Sequence, residues 1–229
     1  MHSIAAVMFE PVGCLAEFAA GPFDDAAREL FGATDTSGSG SQAYWRLLEL
    51  LDQKPAVAPH SAARLESLEL AAAEQADLYE DVAPALKKLR DAGVNLHLVS
   101  SLSRRALARF VERFALADAF AHIVARDDTQ GVLEGPLRHA VGRAAVDPAQ
   151  VIYLVDNSTA LAMAKRVGVN AVLMINDYDE GRALAEHRPS GGIVSLAELA
   201  DALELIGQRS SQRSASRMPH KPFELFEPG

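Results

Sequence analysis

The feature that most constrains the fold of this sequence is an alternation of short apolar runs with helical segments. Buried strands are predicted where the apolar runs are bounded by turn residues, at 4–9, 94–99, 122–125, 151–155 and 171–175. Helical periodicity occupies 82–92, 104–114, 136–145, 158–167 and 196–205. Strands separated by helices of this length indicate parallel βαβ units. We therefore predict an α/β fold with a doubly wound, Rossmann-like parallel sheet.

A long helical segment interrupts the alternation directly after the first strand. Helical patterns cover 23–31, 43–51 and 61–78, and a polar Ser/Gly-rich stretch at 36–41 separates the first two. The organisation that we predict is an α/β core of residues 1–15 and 80–207, an inserted helical bundle of residues 16–79 and a disordered tail of residues 208–229. The last part of the tail, residues 218–229, carries two Phe and a Leu, so it is either a docking segment for a protein partner or a solvated end.

Composition narrows the functional classes. The 229 residues are 49% hydrophobic and 23% charged, as in an ordinary globular protein. A net charge of −9 argues against nucleic-acid binding, which needs a basic surface. The single Cys14 excludes an intramolecular disulfide and fits a reducing compartment. We find no apolar stretch near 20 residues and no signal-peptide pattern, so we expect a cytoplasmic protein without a membrane span.

Polar residues follow the ends of the predicted strands. Glu10 comes directly after the first strand, Ser100 and Ser101 after the second, and Asp156 after the fourth, while a loop at 126–136 follows the third. The carboxyl ends of parallel strands meet at one edge of the sheet, where open α/β sheets bind their ligands. The sequence therefore predicts the functional site at this edge.

The segments at these strand ends resemble landmarks of one protein family. The turn 10–15, the strand end 98–101, the Val155–Asp156 pair and the segment 164–169 are similar to motifs of the haloacid dehalogenase (HAD) superfamily, in its phosphoglycolate-phosphatase-like branch. The resemblance covers residues 4 to 206 and identifies the inserted bundle as the helical cap of that family. It implies the same α/β fold and a hydrolase that acts on a small phosphorylated metabolite.

The first family motif is altered at each chemical position. Phosphatases of the family open with Asp-x-Asp-Gly-Thr, in which the first Asp is the nucleophile and the second the general acid/base. Glu10 stands at the first position, Val12 at the second and Cys14 at the Thr position. The extra methylene of Glu moves the carboxylate by about 1 Å, which can cost ~10²-fold in rate. Val12 cannot transfer a proton, and Cys14 is either a nucleophile without a neighbouring base or a small packing residue.

The second and third landmarks concern the phosphoryl group. The resemblance assigns Ser100 as a catalytic hydrogen-bond donor to it, with Gly13 and Ser101 as substrate contacts; alternatively, both serines cap the next helix. The family Lys that neutralises the phosphoryl charge has its place at Gly131. Arg126 or Arg138 would have to substitute for it, although an exposed Arg is usually a solvated charge.

The fourth landmark supplies metal ligands. By resemblance, Mg²⁺ would be held by the carboxylates of Glu10 and Asp156 and the backbone carbonyl of Val12, with waters completing an octahedron. The place of a further family carboxylate falls at Ala160. The other interpretation of Asp156 is an N-cap of the helix that begins near Ser158.

Two functional hypotheses follow. The first is a degenerate HAD-like protein with little or no phosphatase activity that retains a cleft for a small anion, a metabolite or a protein partner. The alternative is an active Mg²⁺-dependent hydrolase of a small phosphorylated metabolite that uses Glu10. Dehalogenating and phosphonate-cleaving relatives also lack the second Asp, but they keep the Asp nucleophile and the Lys.

Overall fold

Strand β1 (Ala6–Phe9) lies in the middle of the sheet because its four side chains are apolar and completely buried. The computed structural model describes residues 4–35, 37–54, 58–129 and 133–216. The other strands of the sheet are β4 (Asn95–Val99), β5 (His122–Val124), β6 (Val151–Val155), β7 (Asn170–Met174) and β8 (Gly191–Ile193). Their order is β5-β4-β1-β6-β7-β8 and every pair is parallel, which confirms the predicted doubly wound α/β fold.

Helices cross between the strands and pack on the sheet. The helices of this part are α4 (Val82–Asp91), α5 (Arg104–Arg113), α6 (Gly135–Ala144), α7 (Ser158–Val167), α8 (Tyr178–Leu184) and α9 (Leu199–Ser216). Helix α4 packs against α9 and β4, whereas α6 packs against α7, β4 and β5. The amphipathic faces therefore cover the apolar strands, and the carboxyl edge of the sheet is left for the loops. No helix among the described residues has both the length and the apolar character that a bilayer crossing requires.

The segment inserted after β1 begins and ends in a two-stranded antiparallel pair. Strand β2 (Ala16–Glu17) pairs with β3 (Asp77–Leu78), and helices α1 (Gly21–Phe31), α2 (Gly40–Gln53) and α3 (Ala58–Gln75) lie between them. The predicted helix 61–78 therefore ends earlier, because residues 77–78 pair with β2 and Tyr79 N–H donates to the Leu15 carbonyl at 2.9 Å. Helix α1 packs on α2, while α3 packs on α5 of the core.

Two aromatic residues of α2 belong to the interior. They are Tyr44 and Trp45. Both are buried, and their rings lie 6.1 Å apart, with Phe23 of α1 stacked edge-on against Tyr44 at 5.3 Å. Aromatic burial on this scale makes these rings part of the packing between α1 and α2.

The C-terminal part differs from the sequence prediction in two ways. Helix α8 and strand β8 are additional elements, the latter an edge strand that begins with two glycines and has little strand propensity. Helix α9 continues to Ser216, past residue 208, where the sequence predicts disorder. An existing helix extends at low cost, and no Gly or Pro occurs between residues 208 and 216. Residues 217–229, which carry the predicted docking segment, lie outside the described residues.

Gly40 at the start of α2 provides a test of this packing. Its N–H donates to the Glu17 carboxylate at 3.3 Å, and a Cβ there would lie 1.6 Å from the Phe18 carbonyl oxygen. We expect Gly40→Ala to lower the free energy of unfolding by about 1–3 kcal/mol, as overpacking does. In contrast, Gly142→Ala in α6 meets nothing within 4 Å and should stabilise by about 0.5–1 kcal/mol. Urea unfolding measures both, and equal effects of the two substitutions would contradict this packing.

Candidate active site

The three central strands bring the predicted site residues to one edge of the sheet. β1 lies between β4 and β6, so that Glu10, Ser100 and Asp156 follow three neighbouring strand ends. All three side chains are buried, with relative exposures of 1%, 1% and 6%. These strand ends therefore form a buried polar cluster.

The Glu10 carboxyl is held by hydrogen-bond donors from the end of β4. Ser100 Oγ–H donates to Oε1 at 3.0 Å and the Ser101 N–H donates to Oε2 at 3.3 Å. A longer contact of 3.5 Å joins the Val12 N–H to Oε1. Ser100 Oγ in turn accepts the Leu102 N–H at 3.0 Å, so its hydroxyl is engaged on both sides.

Burial dominates the ionisation of Glu10. It raises the pKa of the carboxyl from 4.5 to about 8, and the hydrogen bonds from Ser100, Ser101 and Val12 oppose that rise only in part. The charge of Asp156 adds to the rise. At neutral pH the carboxyl is therefore mostly protonated, which is the wrong state for a nucleophile.

Asp156 is bonded from the inserted helices as well as from its own loop. Ser41 Oγ–H at the start of α2 donates to Oδ1 at 2.8 Å, and Asn157 Nδ2–H donates to the same oxygen at 3.0 Å. Burial raises the pKa of Asp156 to about 6, and these hydrogen bonds lower it. The inserted segment thus supplies one of the donors that stabilise the ionised form of this carboxylate.

Gly13 lets the turn after β1 approach Asp156. Its φ is +78°, and a Cβ there would lie 1.8 Å from Asp156 Oδ2 and 2.7 Å from the Ser41 Cβ. Asn176 Nδ2–H donates to the Gly13 carbonyl at 2.7 Å, which fixes the turn from the end of β7. Gly13 therefore serves as a close-packing residue between core and insert.

The neighbouring Cys14 is a buried free cysteine. Burial, and to a smaller extent the charges of Asp156 and Glu10, raises the pKa of its thiol. A thiol in such surroundings is a packing residue and not a reactive nucleophile.

The helix caps fall on other residues than those considered in the sequence. Ser103 caps α5 by accepting the Ala106 N–H at 3.2 Å, so neither Ser100 nor Ser101 is the N-cap. Asn157 caps α7 by accepting the Ala160 N–H at 2.8 Å, so Asp156 is not the N-cap either. The polar groups of the strand ends are thereby left for the cluster itself.

A buried ion pair next to the cluster is a feature that the sequence analysis missed. Glu69 of α3 is fully buried, and its carboxylate accepts hydrogen bonds from Arg126 Nη1–H at 2.6 Å and Nη2–H at 3.1 Å. Burial raises the pKa of Glu69, and the Arg126 guanidinium works against that rise. In the sequence Glu69 is one acidic residue of an Ala/Leu/Glu-rich helix, and only the 3.6-residue periodicity of α3 could have placed it on the inner face.

The two arginines considered as substitutes for the family Lys are both paired with carboxylates. Arg126 binds Glu69, and Arg138 binds the partly exposed Glu134 in an i,i+4 pair. Gly131, where the Lys would stand, lies outside the described residues. Within the described ranges, these two guanidiniums are therefore already neutralised.

The donor set does not fit Mg²⁺ in this arrangement. Mg²⁺ requires near-octahedral oxygen ligands at about 2.0–2.1 Å. Both Glu10 oxygens and Asp156 Oδ1 instead face N–H or O–H donors, and Asp156 Oδ2 lies against Gly13. Among residues 4–35, 37–54, 58–129 and 133–216 there is no group of three or more His, Cys, Asp or Glu side chains that could hold a metal ion. The predicted Glu10–Val12–Asp156 ligand set thus offers two carboxylates, both engaged by protein donors.

Comparisons with known proteins point to one family. A family model described as haloacid dehalogenase-like hydrolase matches residues 38–174. The chain is 26% identical over 125 residues to phosphoglycolate phosphatase 1 of Pseudomonas aeruginosa, covering 54% of this chain and 46% of that protein. The chain spans about half the length of the curated relatives that it matches.

Solved structures share the fold along nearly the whole chain. A haloacid dehalogenase-like family hydrolase from Streptococcus pneumoniae superposes with a TM-score of 0.66 at 15% identity, covering 88% of this chain and 99% of that one. A HAD family hydrolase from Deinococcus radiodurans R1, solved with bound phosphate and sodium, has a TM-score of 0.62 at 22% identity, covering 90% and 98% of the two chains. At these identities the likeness establishes the fold.

The raised pKa of Glu10 predicts a pH-dependent stability. Because the folded state binds this proton more tightly than the unfolded state, stability falls as pH rises from about 4.5 towards 8. Glu10→Gln removes that titration, so it should lose less stability over this window. The difference in the free energy of unfolding between Glu10→Gln and the wild type should therefore change by up to about 1.4 kcal/mol per pH unit within this window.

Urea unfolding at pH 5.5, 6.5 and 7.5 measures this difference. The control is Glu134→Gln, because Arg166 and Arg138 lower the pKa of Glu134 and its titration lies below this window. Its stability should therefore run parallel to that of the wild type. A parallel profile for Glu10→Gln as well would contradict the assignment of Glu10 as a buried, protonated acid.

Proposed function

The chain belongs to the haloacid dehalogenase-like hydrolase family, and from that premise we propose that it has little or no phosphatase activity and keeps a cleft for a small anion. In this proposal, donors at the end of β4 and in the turn after β1 form a cradle for an oxyanion. The cradle consists of Ser100 Oγ–H and the N–H groups of Ser101 and Val12. In the resting protein the Glu10 carboxyl occupies it.

The occupation of the cradle by Glu10 is the observation that carries the proposal. A phosphatase needs donors aimed at the place where phosphoryl charge develops, free of other acceptors. Here three donors converge on the carboxyl of the residue that stands at the nucleophile position. Glu10 is long enough to reach the neighbouring strand end, and it is mostly protonated at neutral pH. Both properties oppose attack on phosphorus.

The remaining catalytic groups are also missing or engaged. Val12 at the acid/base position has no proton to transfer, and losing such a group typically costs ~10²–10⁴-fold in rate. The Arg126 guanidinium is bound to Glu69 rather than directed at the cradle. Among the described residues, a phosphoryl group would therefore meet no proton donor at position 12 and no unpaired guanidinium from Arg126 or Arg138, which leaves binding as the function that the geometry supports best.

A small oxyanion is the ligand class that such a cradle recognises. Backbone N–H and hydroxyl donors bind phosphate and carboxylate through charge-assisted hydrogen bonds. The Deinococcus structure, which shares this fold, contains bound phosphate. A phosphorylated metabolite or a carboxylate would enter by displacing the Glu10 carboxyl. A protein partner bound through the tail of residues 218–229 and a cytoplasmic location stay predictions from the sequence.

The alternative is an active Mg²⁺-dependent hydrolase of a small phosphorylated metabolite. What favours it is that two carboxylates, Glu10 and Asp156, lie at the strand ends where the family resemblance places its metal ligands. It requires that Glu10 leave the cradle and that Ser41 release Asp156, so that both carboxylates become available to the ion. The same assay decides between the two functions.

The decisive assay is hydrolysis of a panel of phosphomonoesters, including phosphoglycolate, with Mg²⁺ present. We expect no turnover above background for the wild type, and measurable turnover for the combined Glu10→Asp, Val12→Asp and Gly131→Lys variant. The matched control is Glu10→Asp alone, which restores the nucleophile without the acid or the cation. Wild-type turnover that disappears in both Glu10→Ala and Asp156→Ala would establish the hydrolase instead.

Anion binding is tested separately with Glu10→Ala. Removing the carboxyl vacates the cradle, so inorganic phosphate or acetate should bind this variant at least about tenfold more tightly than the wild type, where it must displace Glu10. Thermal melting at increasing anion concentration measures the difference. Adding Ser100→Ala should abolish the gain. Equal shifts for wild type and Glu10→Ala would show that these donors do not form an anion site.

A further inference from the structure

The buried carboxylate of Glu69 binds side-chain or backbone donors from three other parts of the chain. It lies on α3, and Tyr44 Oη–H of α2 donates to its Oε1 at 3.1 Å. The N–H of Ser103, just before α5, donates to Oε2 at 2.9 Å, and the Arg126 guanidinium binds both oxygens. Glu69 itself has no solvent-exposed surface. The contacts with Ser103 and Arg126 connect the inserted helices with the loops at the carboxyl edge of the sheet, whereas the contact with Tyr44 joins α3 to α2.

The ion pair leads directly to the anion cradle. Arg126 Nη1–H also donates to the Ser101 carbonyl at 2.7 Å, and the N–H of Ser101 binds Glu10. Ser101 is thus the shared residue: its carbonyl binds the arginine of the ion pair, and its N–H belongs to the cradle. Arg126 and Ser101 therefore form one described connection from Glu69 to the cradle, in addition to the Ser103 N–H that also binds Glu69.

Among the described residues, two ion pairs join α3 to α5, and both are more exposed than the Glu69–Arg126 pair. Glu66 lies 3.5 Å from Arg105, whose side chain is 72% exposed, and Glu74 lies 3.4 Å from Arg109, with both side chains about half exposed. Exposed pairs contribute little to stability. Removing one partner of a buried pair is far more disruptive, because the other charge is left without compensation. Among the described ion pairs between the insert and the core, we therefore expect the loss of Glu69–Arg126 to disturb closure most.

The inserted helices cover the cleft in this closed state. Ser41 of α2 binds Asp156 and lies against Gly13, and Glu49 of the same helix accepts a hydrogen bond from the Thr159 hydroxyl of α7. The turn after β1, including the completely buried Cys14, is sealed under this contact. A ligand can reach the cradle only if the inserted helices move away from the core.

We propose that Glu69 is a latch that holds the inserted helices closed over the anion cradle, so that release of the Glu69–Arg126 pair controls access to it. The latch rests on the proposed function only in taking the cradle as the ligand site. Closure by Glu69 is a property of the chain without ligand, and it can be tested without substrate or turnover. Turnover by the wild type would contradict the proposed function, whereas unchanged Cys14 labelling in Glu69→Gln would contradict the latch, so the two failures are distinguishable.

The single cysteine of the chain offers the probe. Cys14 directly follows Gly13 and is buried, so iodoacetamide can label its thiol only when the turn becomes accessible. In the full-length chain we expect Glu69→Gln to raise the labelling rate of Cys14 at least about tenfold in native buffer. The matched control is Glu66→Gln, one turn earlier on the same helix, which should leave the rate within about twofold. Tyr44→Phe removes one donor to Glu69 and should give a smaller rise.

The dependence of labelling on urea separates opening from unfolding. Opening of the inserted helices exposes less surface than global unfolding, so labelling of Glu69→Gln should depend only weakly on urea below the unfolding transition. A rate equal to that of the wild type, or a rise with the full urea dependence of global unfolding, would overturn the latch. If Glu69→Gln does not fold, Tyr44→Phe decides by the same two criteria.

Discussion

The hydrogen bonding of the Glu10 carboxyl by the end of β4 is the constraint on which the rest of the site depends. A carboxyl without exposure to water is tolerated only if its oxygens have partners. Ser100 and Ser101 provide them, and the parallel register of β1 and β4 places these donors beside the strand end. The same donors are those that the family resemblance assigns to a phosphoryl group. Satisfying Glu10 therefore consumes the groups that substrate binding would use.

The second carboxylate couples the site to the inserted helices. Asp156 is packed against Gly13, where no side chain fits, and it receives one of its hydrogen bonds from Ser41. The polar interior is thus completed only when α2 lies on the core. Glu69 also connects the inserted helices with the core, through Arg126. Closure of the insert and satisfaction of the buried charges are one structural event, which is why a single carboxylate on α3 can act as a latch.

The sequence predicts the parts of the fold that carry a strong periodic signal. Apolar runs such as 151–155 correspond to strands because burial on both faces requires continuous hydrophobicity. Strands β2 and β3 have two residues each, and β8 begins with two glycines, so neither period nor propensity marks them. Those elements exist because neighbouring segments offer them backbone partners.

The site is predictable in position and not in its contacts. The strand-end rule brings Glu10, Ser100 and Asp156 to one edge, which follows from topology alone. Which donors face each carboxylate depends on tertiary packing: Glu69 meets partners 34 and 57 residues away, and Asp156 meets Ser41 across 115 residues. A buried Glu on an Ala-rich helix has the same sequence appearance as an exposed one. Its role becomes visible only once α3 is placed on α5.

An active site and an internally satisfied site place opposite demands on the same donors. Catalysis by electrostatic preorganisation requires donors that wait, without a partner, for charge that appears in the transition state. The cradle of this chain instead holds an acceptor that is covalently attached to the adjacent strand, and an attached group competes at a high effective concentration. In the proposed function, an external anion has to outcompete Glu10, and the proposed latch requires in addition that the insert open. In the proposed function, the Glu that stands at the end of β1 in place of the family Asp would thus occupy the position of the ligand instead of attacking it.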